Sequence, residues 1–174
     1  MGHRILAYAT VNSPVGQLVL VATPQGLCRL GIGESAEEVL AELSPFEVVD
    51  SSADLELAIR QLNEYFQGTR RRFDLRFDLG DATDFQAKVY RALCEIPYGE
   101  TRSYAWVARR INKPAAARAV GQACRVNPLP VFIPCHRVVS ADGTLGGYSS
   151  GLDIKRKLLD LETGLAKGEA DGET

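Results

Sequence analysis

The chain has 174 residues, 45% hydrophobic and 24% charged, with a formal net charge of −2, a length that suits one large or two small domains with a real core. No apolar run reaches the ~18–20 residues of a membrane span, and four cysteines without a CxxC pair, beside two histidines, argue against a structural zinc site. The net charge hides a split: residues 1–100 carry 9 Lys/Arg against 15 Asp/Glu, 101–162 carry 10 against 4, and 163–174 carry 1 against 3, so the middle segment is either a polyanion-binding face or a chance clustering on a solvated surface.

The opening MGHRILAYATV alternates like a strand and shows no signal-peptide core or cleavage site. With free thiols expected, this reads as a cytoplasmic chain. Three apolar stretches, 5–11, 17–22 and 27–32, are separated by Ser13-Pro14-Val15-Gly16 and Thr23-Pro24-Gln25-Gly26, turn clusters at hairpin spacing that predict a meander. Ser35 and Glu38 form a capping-box pair opening a helix to about Leu43. A longer helix is predicted over 53–67, burying Leu55, Ile59, Leu62 and Phe66, with Gly68 at its C-terminal turn. Residues 73–79 alternate cleanly and predict a half-buried strand.

The best boundary between two domains is Gly80-Asp81-Ala82-Thr83, giving units 1–83 and 84–162 and a flexible tail 163–174. Beyond it, Phe85, Val89, Leu93 and Ile96 line a helix that stops at Pro97-Tyr98-Gly99. Ser103 caps a short helix through Ile111, and Pro114 fits the first turn of an alanine-rich helix over 115–125. Such a pair is a helix-turn-helix pattern. A last helix, about 152–162, is predicted to bury Ile154, Leu158 and Leu161. The fold class is α+β: a small N-terminal antiparallel sheet with helices, then a mostly helical C-terminal domain.

The strongest local feature is Ile133-Pro134-Cys135-His136-Arg137-Val138-Val139. A thiol with an unperturbed pKa of ~8.5 is only ~3% ionised at pH 7, so a nucleophilic cysteine needs a base or a positive field. In an extended segment Cys135 and His136 point to opposite faces, so a turn or a bridging water must connect them. Taken alone, the Cys-His pair is better read as a buried structural cysteine beside a histidine.

The whole segment 85–162 resembles the O6-alkylguanine-DNA alkyltransferases, direct-reversal DNA repair proteins. The resemblance rests on Ile96-Pro97-Tyr98-Gly99-Glu100, Ser103-Tyr104, Ala116-Ala117-Arg118-Ala119-Val120-Gly121, Asn127-Pro128, Pro134-Cys135-His136-Arg137-Val138-Val139, Gly146-Gly147-Tyr148-Ser149 and Lys155…Leu158-Leu159…Glu162. It implies a ribonuclease-H-like N-terminal fold, a winged helix-turn-helix C-terminal fold, and a self-consuming transfer of the alkyl group from O6-alkylguanine, with O4-alkylthymine as a second candidate substrate, to Cys135. Base flipping is implied because the O6 substituent cannot reach a side chain from inside the stack.

By the same resemblance Arg118 fills the vacated space, and Ala117 and Gly121 let the helix approach the phosphates. Tyr104 rotates the nucleotide and assists the leaving group. His136 acts through water as the base, Glu162 orients and charges the imidazole, and Asn127 braces the loop. Tyr148 and Ser149 form a lid, the carbonyls of Cys135 and Val138 meet the guanine amino group, and Gln86 and Arg125 add phosphate contacts. The implied partner is double-stranded DNA carrying alkylated guanine, met by a monomer with no cofactor, metal or membrane.

Some features depart from the pattern. Ser150 stands where a lid glycine is common and is expected to narrow the pocket against bulky adducts. Cys28, Cys94 and Cys124 read as small buried residues. The alternative is a non-catalytic alkyl-base sensor, but such relatives carry tryptophan at the nucleophile position, here Cys135. A helix-turn-helix regulator leaves Cys135, His136 and Glu162 without a role. A cysteine hydrolase lacks an oxyanion-hole motif and a second placed histidine, His3 lying at the chain start.

Overall fold

The computed structural model describes residues 5–43, 47–50, 53 and 55–164, so His3 and positions 165–174 of the expected tail lie outside it. It divides into two compact units, Met1–Gly80 and Asp81–Thr174.

In the N-terminal unit, β1 (Ile5–Ser13), β2 (Gly16–Thr23) and β3 (Gly26–Ile32) form the antiparallel meander, and β4 (Glu47–Asp50) adds in parallel to β1. The first hairpin turns between Ser13 and Gly16, where the Ser13 hydroxyl donates to the Gly16 carbonyl at 2.7 Å and accepts from Val15 N–H. Leu18, Val19, Leu20 and Val21 of β2 are all fully buried; consecutive burial means that both faces of this strand are covered. Val19 and Val21 pack with Leu6 and with Val39 of α1 (Ala36–Ala41), whose capping box forms on both sides: Glu38 N–H donates to Ser35 Oγ and Ser35 N–H to the Glu38 carboxylate. The helix α2 (Glu56–Phe66) starts three residues later than predicted and buries Leu55, Ala58, Gln61, Leu62 and Tyr65, leaving Ile59 and Phe66 half-buried.

Gln61 explains a second difference. Residues 73–79 do not join the sheet as a strand; a single bridge pairs Leu27 with Phe77. The Gln61 amide donates to the Asp74 carbonyl at 3.2 Å and accepts from the Asp74 N–H at 2.9 Å. A side chain thus satisfies backbone groups that a neighbouring strand would have taken. Gly26 permits the remaining contact, since a Cβ there would sit 2.5 Å from the Arg76 carbonyl oxygen.

In the C-terminal unit, α3 (Asp84–Cys94) begins with a second capping box, Thr83 with Gln86. A two-residue strand β5 (Arg102–Ser103) leads into α4 (Tyr104–Arg110), capped by the Ser103 hydroxyl, and then α5 (Ala117–Arg125). Pro114 lies in the turn before α5 rather than in its first turn, with Ala116 as the N-cap. A 3-10 turn, Cys135–Arg137, is followed by β6 (Val138–Val139), parallel to β5, and by α6 (Leu152–Thr163). The buried side of α6 is Lys155, Leu158 and Glu162, whereas Ile154 and Leu161 are half-buried. The inward stripe is one residue round from the expected one and carries two charges.

Candidate active site

The loop that delivers Cys135 is held from inside. Asn127, buried, donates through Nδ2 to the Ile133 carbonyl at 2.9 Å and accepts from Leu129 N–H at 3.0 Å. Between them Val131 is held at φ 74, a backbone state that a β-branched residue adopts only under tertiary constraint. The chain then tightens into the 3-10 turn, with Cys135 N–H on Ile133 O at 2.7 Å and Arg137 N–H on Pro134 O at 3.0 Å. The turn replaces the extended geometry considered from sequence and points successive side chains in different directions.

His136 is fully buried and its Nε2 lies 2.5 Å from Glu162 Oε2. Arg137 closes the other side of the carboxylate, Nε to Oε1 at 2.7 Å and Nη2 to Oε2 at 3.2 Å, while its Nη1 donates to Ile96 O at 2.8 Å. Gly99 N–H adds a contact to Oε1 at 3.3 Å. Burial alone would raise the Glu162 carboxyl, but His136 and Arg137 pull it down to about 2. The carboxylate near the end of α6, unfavourable for the helix dipole, therefore has its partners.

Burial lowers His136 despite Glu162, which favours the neutral imidazole. Glu162 is an acceptor only. In the neutral form Nε2 therefore carries the proton and donates it, and Nδ1 has a lone pair.

Burial pushes the Cys135 thiol up to about 11, against the lowering effects of Asn127 and the nearby Lys155 charge. The thiol is therefore protonated at neutral pH.

Cys135 opens into a cavity of about 670 Å³, which Tyr104, Arg118, Gly121, Arg125, Tyr148 and Ser149 also line. Arg118 and Arg125 are exposed at its rim on α5. Tyr104, the first residue of α4, accepts at its hydroxyl from Gly147 N–H. A Cβ on Gly146, at φ +70, would lie 2.8 Å from that hydroxyl, so glycine is required there. At Gly121 a Cβ would meet only the Tyr104 ring, at 3.9 Å, and the helix surface is open.

His136, Asn127 and Glu162 stand behind the cavity rather than in its wall. Ala117 is half-buried at the start of α5, outside the lining. Gln86 also lies outside it, its Oε1 taken by Thr83 N–H at 3.0 Å. The Val138 carbonyl accepts from Lys155 at 2.6 Å and the Cys135 carbonyl from Val138 N–H, each with a second lone pair left for another donor.

Three sequence readings are corrected. Cys124 is half-buried and lines the cavity, with its thiol pushed up to about 12 by burial and then by Cys135. Cys94 is exposed, because α3 ends at that residue with its apolar face turned elsewhere. Ser150 does not line the cavity, whereas Gly151 and Leu152 do.

Sequence reasoning missed Lys155 as a site residue. It is fully buried, and its ammonium donates to the carbonyls of Val138, Leu145 and Gly147, tying α6 to the segment that bears Tyr148. The available signal was its spacing: Lys155, Leu158 and Glu162 lie at i, i+3 and i+7 on one helical face. Among the described residues no group of three or more His, Cys, Asp or Glu could hold a metal ion, and no helix is long and apolar enough to cross a membrane.

Two family models match the chain: "6-O-methylguanine DNA methyltransferase, ribonuclease-like domain" over residues 6–79 and "6-O-methylguanine DNA methyltransferase, DNA binding domain" over 84–164. A methylated-DNA–protein-cysteine methyltransferase of Methanosarcina barkeri is 45% identical over 155 residues, 89% of this chain and 96% of that one. One of Mycobacterium tuberculosis is 42% identical over 95% of this chain and 97% of its own. Among solved structures, Mycobacterium tuberculosis OGT in complex with DNA superposes with a TM-score of 0.81 at 42% identity, covering 91% of this chain and 93% of that one.

Proposed function

The chain belongs to the 6-O-methylguanine DNA methyltransferase family, and from that premise we propose that Cys135 is the alkyl acceptor and that the cavity in front of it receives an alkylated guanine turned out of duplex DNA. The activity is that of a methylated-DNA–protein-cysteine methyltransferase: direct-reversal repair in which DNA is the partner and the alkyl group moves to protein. The observation that carries the assignment to Cys135 is the buried chain of Arg137, Glu162 and His136, which ends at a His136 Nδ1 without a hydrogen-bond partner, in the residue next to Cys135, whose thiol shares with Cys124 the cavity rimmed by Arg118 and Arg125.

In this reading His136 Nδ1 takes the thiol proton through a water. Glu162 keeps the imidazole oriented and stabilises the imidazolium as it forms, the logic of a triad with sulfur as nucleophile. The thiolate attacks the alkyl carbon in line. The C–S bond forms, the C–O6 bond breaks, and the electron pair leaves with O6. The Tyr104 hydroxyl, at the cavity, donates a hydrogen bond to the departing base and stabilises the negative charge that develops on it, which a proton from solvent then neutralises. Arg118, exposed on α5, occupies the space the base vacates. The chain acts as a monomer on alkylated guanine in duplex DNA, in the cytoplasm, and associated with the nucleoid if the cell is prokaryotic.

Incubation with duplex DNA carrying labelled O6-methylguanine tests the proposal. A thioether has no easy hydrolytic exit, so transfer should plateau at one equivalent per chain, with the label on Cys135 by mass spectrometry. Sustained turnover, label on Cys124, Cys94 or Cys28, or label left on bound DNA would overturn it.

A further inference from the structure

Two buried side-chain polar atoms have no hydrogen-bond partner among the described residues: Nδ1 of His136 and the hydroxyl of Tyr148. Buried polar atoms are nearly always satisfied; one of these belongs to the residue next to Cys135 in the chain, the other to a residue that lines the cavity with Cys135. Tyr148 lines the cavity with Cys135, and its hydroxyl feels the charges of both Cys135 and Glu162. The two atoms are complementary. Nδ1 can only accept, whereas burial keeps the Tyr148 phenol protonated and therefore always able to donate.

The neighbouring groups are already engaged. From α6, Lys155 is spent on three carbonyls and Glu162 on His136 and Arg137. Tyr90 of α3 donates to Ala123 O at 2.9 Å, and Tyr104 of α4 accepts from Gly147 N–H. Cys124 of α5 is held protonated.

Resting on the reading that Cys135 is the acceptor and His136 its base, we propose that the Tyr148 hydroxyl is a positioning residue that anchors the water carrying the proton from Cys135 to His136 Nδ1. That water accepts from the Cys135 S–H and from the Tyr148 O–H and donates to Nδ1, three partners for one molecule. When the relay fires, the thiol proton passes to the water, and a water proton passes to Nδ1. The products are thiolate, imidazolium and an intact water now donating to sulfur. Tyr148 keeps its proton throughout. By polarising the water it favours the thiolate side of the transfer. The tyrosine thereby does two things, closing the cavity with its ring and setting the proton path with its oxygen.

Tyr148→Phe removes only the oxygen. The pH profile of Cys135 alkylation, by a small electrophile and by O6-methylguanine duplex, should move up by about one pH unit, with a rate loss of about tenfold at pH 7. Affinity for undamaged DNA and thermal unfolding should hold. Site-specific fluorotyrosine at position 148, a stronger donor of similar shape, should move the profile down, and it keeps the test open if the phenylalanine variant folds poorly. Superimposable profiles, or a uniform rate loss with an unmoved profile, would overturn the water-anchoring role and leave only the ring. Failure of the wild-type protein to carry alkyl on Cys135 would instead overturn the reading beneath it.

Discussion

The N-terminal unit buries a strand whose four central residues, Leu18 to Val21, are all apolar, together with, among the described residues, one polar side chain, Gln61. The C-terminal unit buries Asn127, His136, Arg137, Lys155 and Glu162. Removing a charge from water is expensive unless it is paired and fully hydrogen-bonded, and an apolar residue of similar volume would stabilise a core at least as well. The C-terminal unit nevertheless holds three formal charges and an imidazole inside, each met by named partners. The difference separates a scaffold interior, assembled by area, from a site interior, assembled by electrostatics. Perturbed groups gather where chemistry is done; here they gather around Cys135, with Glu162 pulled down, His136 pulled down and Cys135 pushed up.

Neutralising the C-terminal network should have the largest effect. Glu162→Gln removes the carboxylate that stabilises the imidazolium, and alkyl transfer should slow by ~10²–10⁴-fold, the usual scale of acid–base assistance. Affinity for undamaged DNA should hardly change, and the pH profile of Cys135 alkylation should move upward. Superimposable profiles and rates in a folded variant would take the buried carboxylate out of the mechanism.

Arg118→Ala comes next. Base extrusion involves a few kcal/mol, so the loss should be on the order of 10–100-fold on duplex substrate and much smaller on a free O6-alkylguanine analogue. An equal loss on both substrates would make Arg118 a general structural residue.

Acid should separate the units without mutation. Glu162 sits at about 2 against an ordinary 4.5, and a depressed folded pKa contributes stability above the unfolded value that is lost as pH falls. His136 is also lowered from 6.5, so the unfolded chain binds that proton first and stability declines from about pH 6.5 downward. The single tryptophan, Trp106, lies in α4, so its fluorescence reports the C-terminal unit. Chemical denaturation followed at Trp106 should shift to lower denaturant between pH 6.5 and 3. A midpoint that does not move with pH would contradict the linkage.

The smallest effect belongs to the N-terminal unit. Gln61→Leu removes two hydrogen bonds to the Asp74 backbone, a loss of about 1–2 kcal/mol in unfolding, softened because Asp74 is exposed and can be rehydrated. Alkyl transfer should be unchanged. A large transfer defect would break the division between scaffold and site.

Much of the fold was written in short-range pattern. The meander, both its turn clusters, the Ser35–Glu38 capping box, the Ser103 cap and the Gly68 helix stop depend on residues a few positions apart, and all appear in the structure. The second capping box, Thr83 with Gln86, is equally local. Where expectation and structure part, a distant partner intervenes. β4 forms because β1 offers a parallel edge, and no local periodicity announces it. Residues 73–79 alternate as a strand should, yet Gln61, 13 positions away, takes the Asp74 backbone groups.

The site divides in the same way. The residue types and spacing around Cys135 pointed to nucleophilic chemistry through a family resemblance, and the dipole-opposed Glu162 called for a local partner. Which partner it has was decided by folding: His136 and Arg137 lie 26 and 25 positions away along the chain. The 3-10 turn at Cys135, the left-handed Val131 and the inward rotation of Lys155 likewise follow from contacts between separate elements. Capping, turn chemistry and amphipathic spacing act over one or two turns of chain and can be read along it. The protonation states of Cys135, His136 and Glu162 come from burial and from charges that only the packed C-terminal unit brings together.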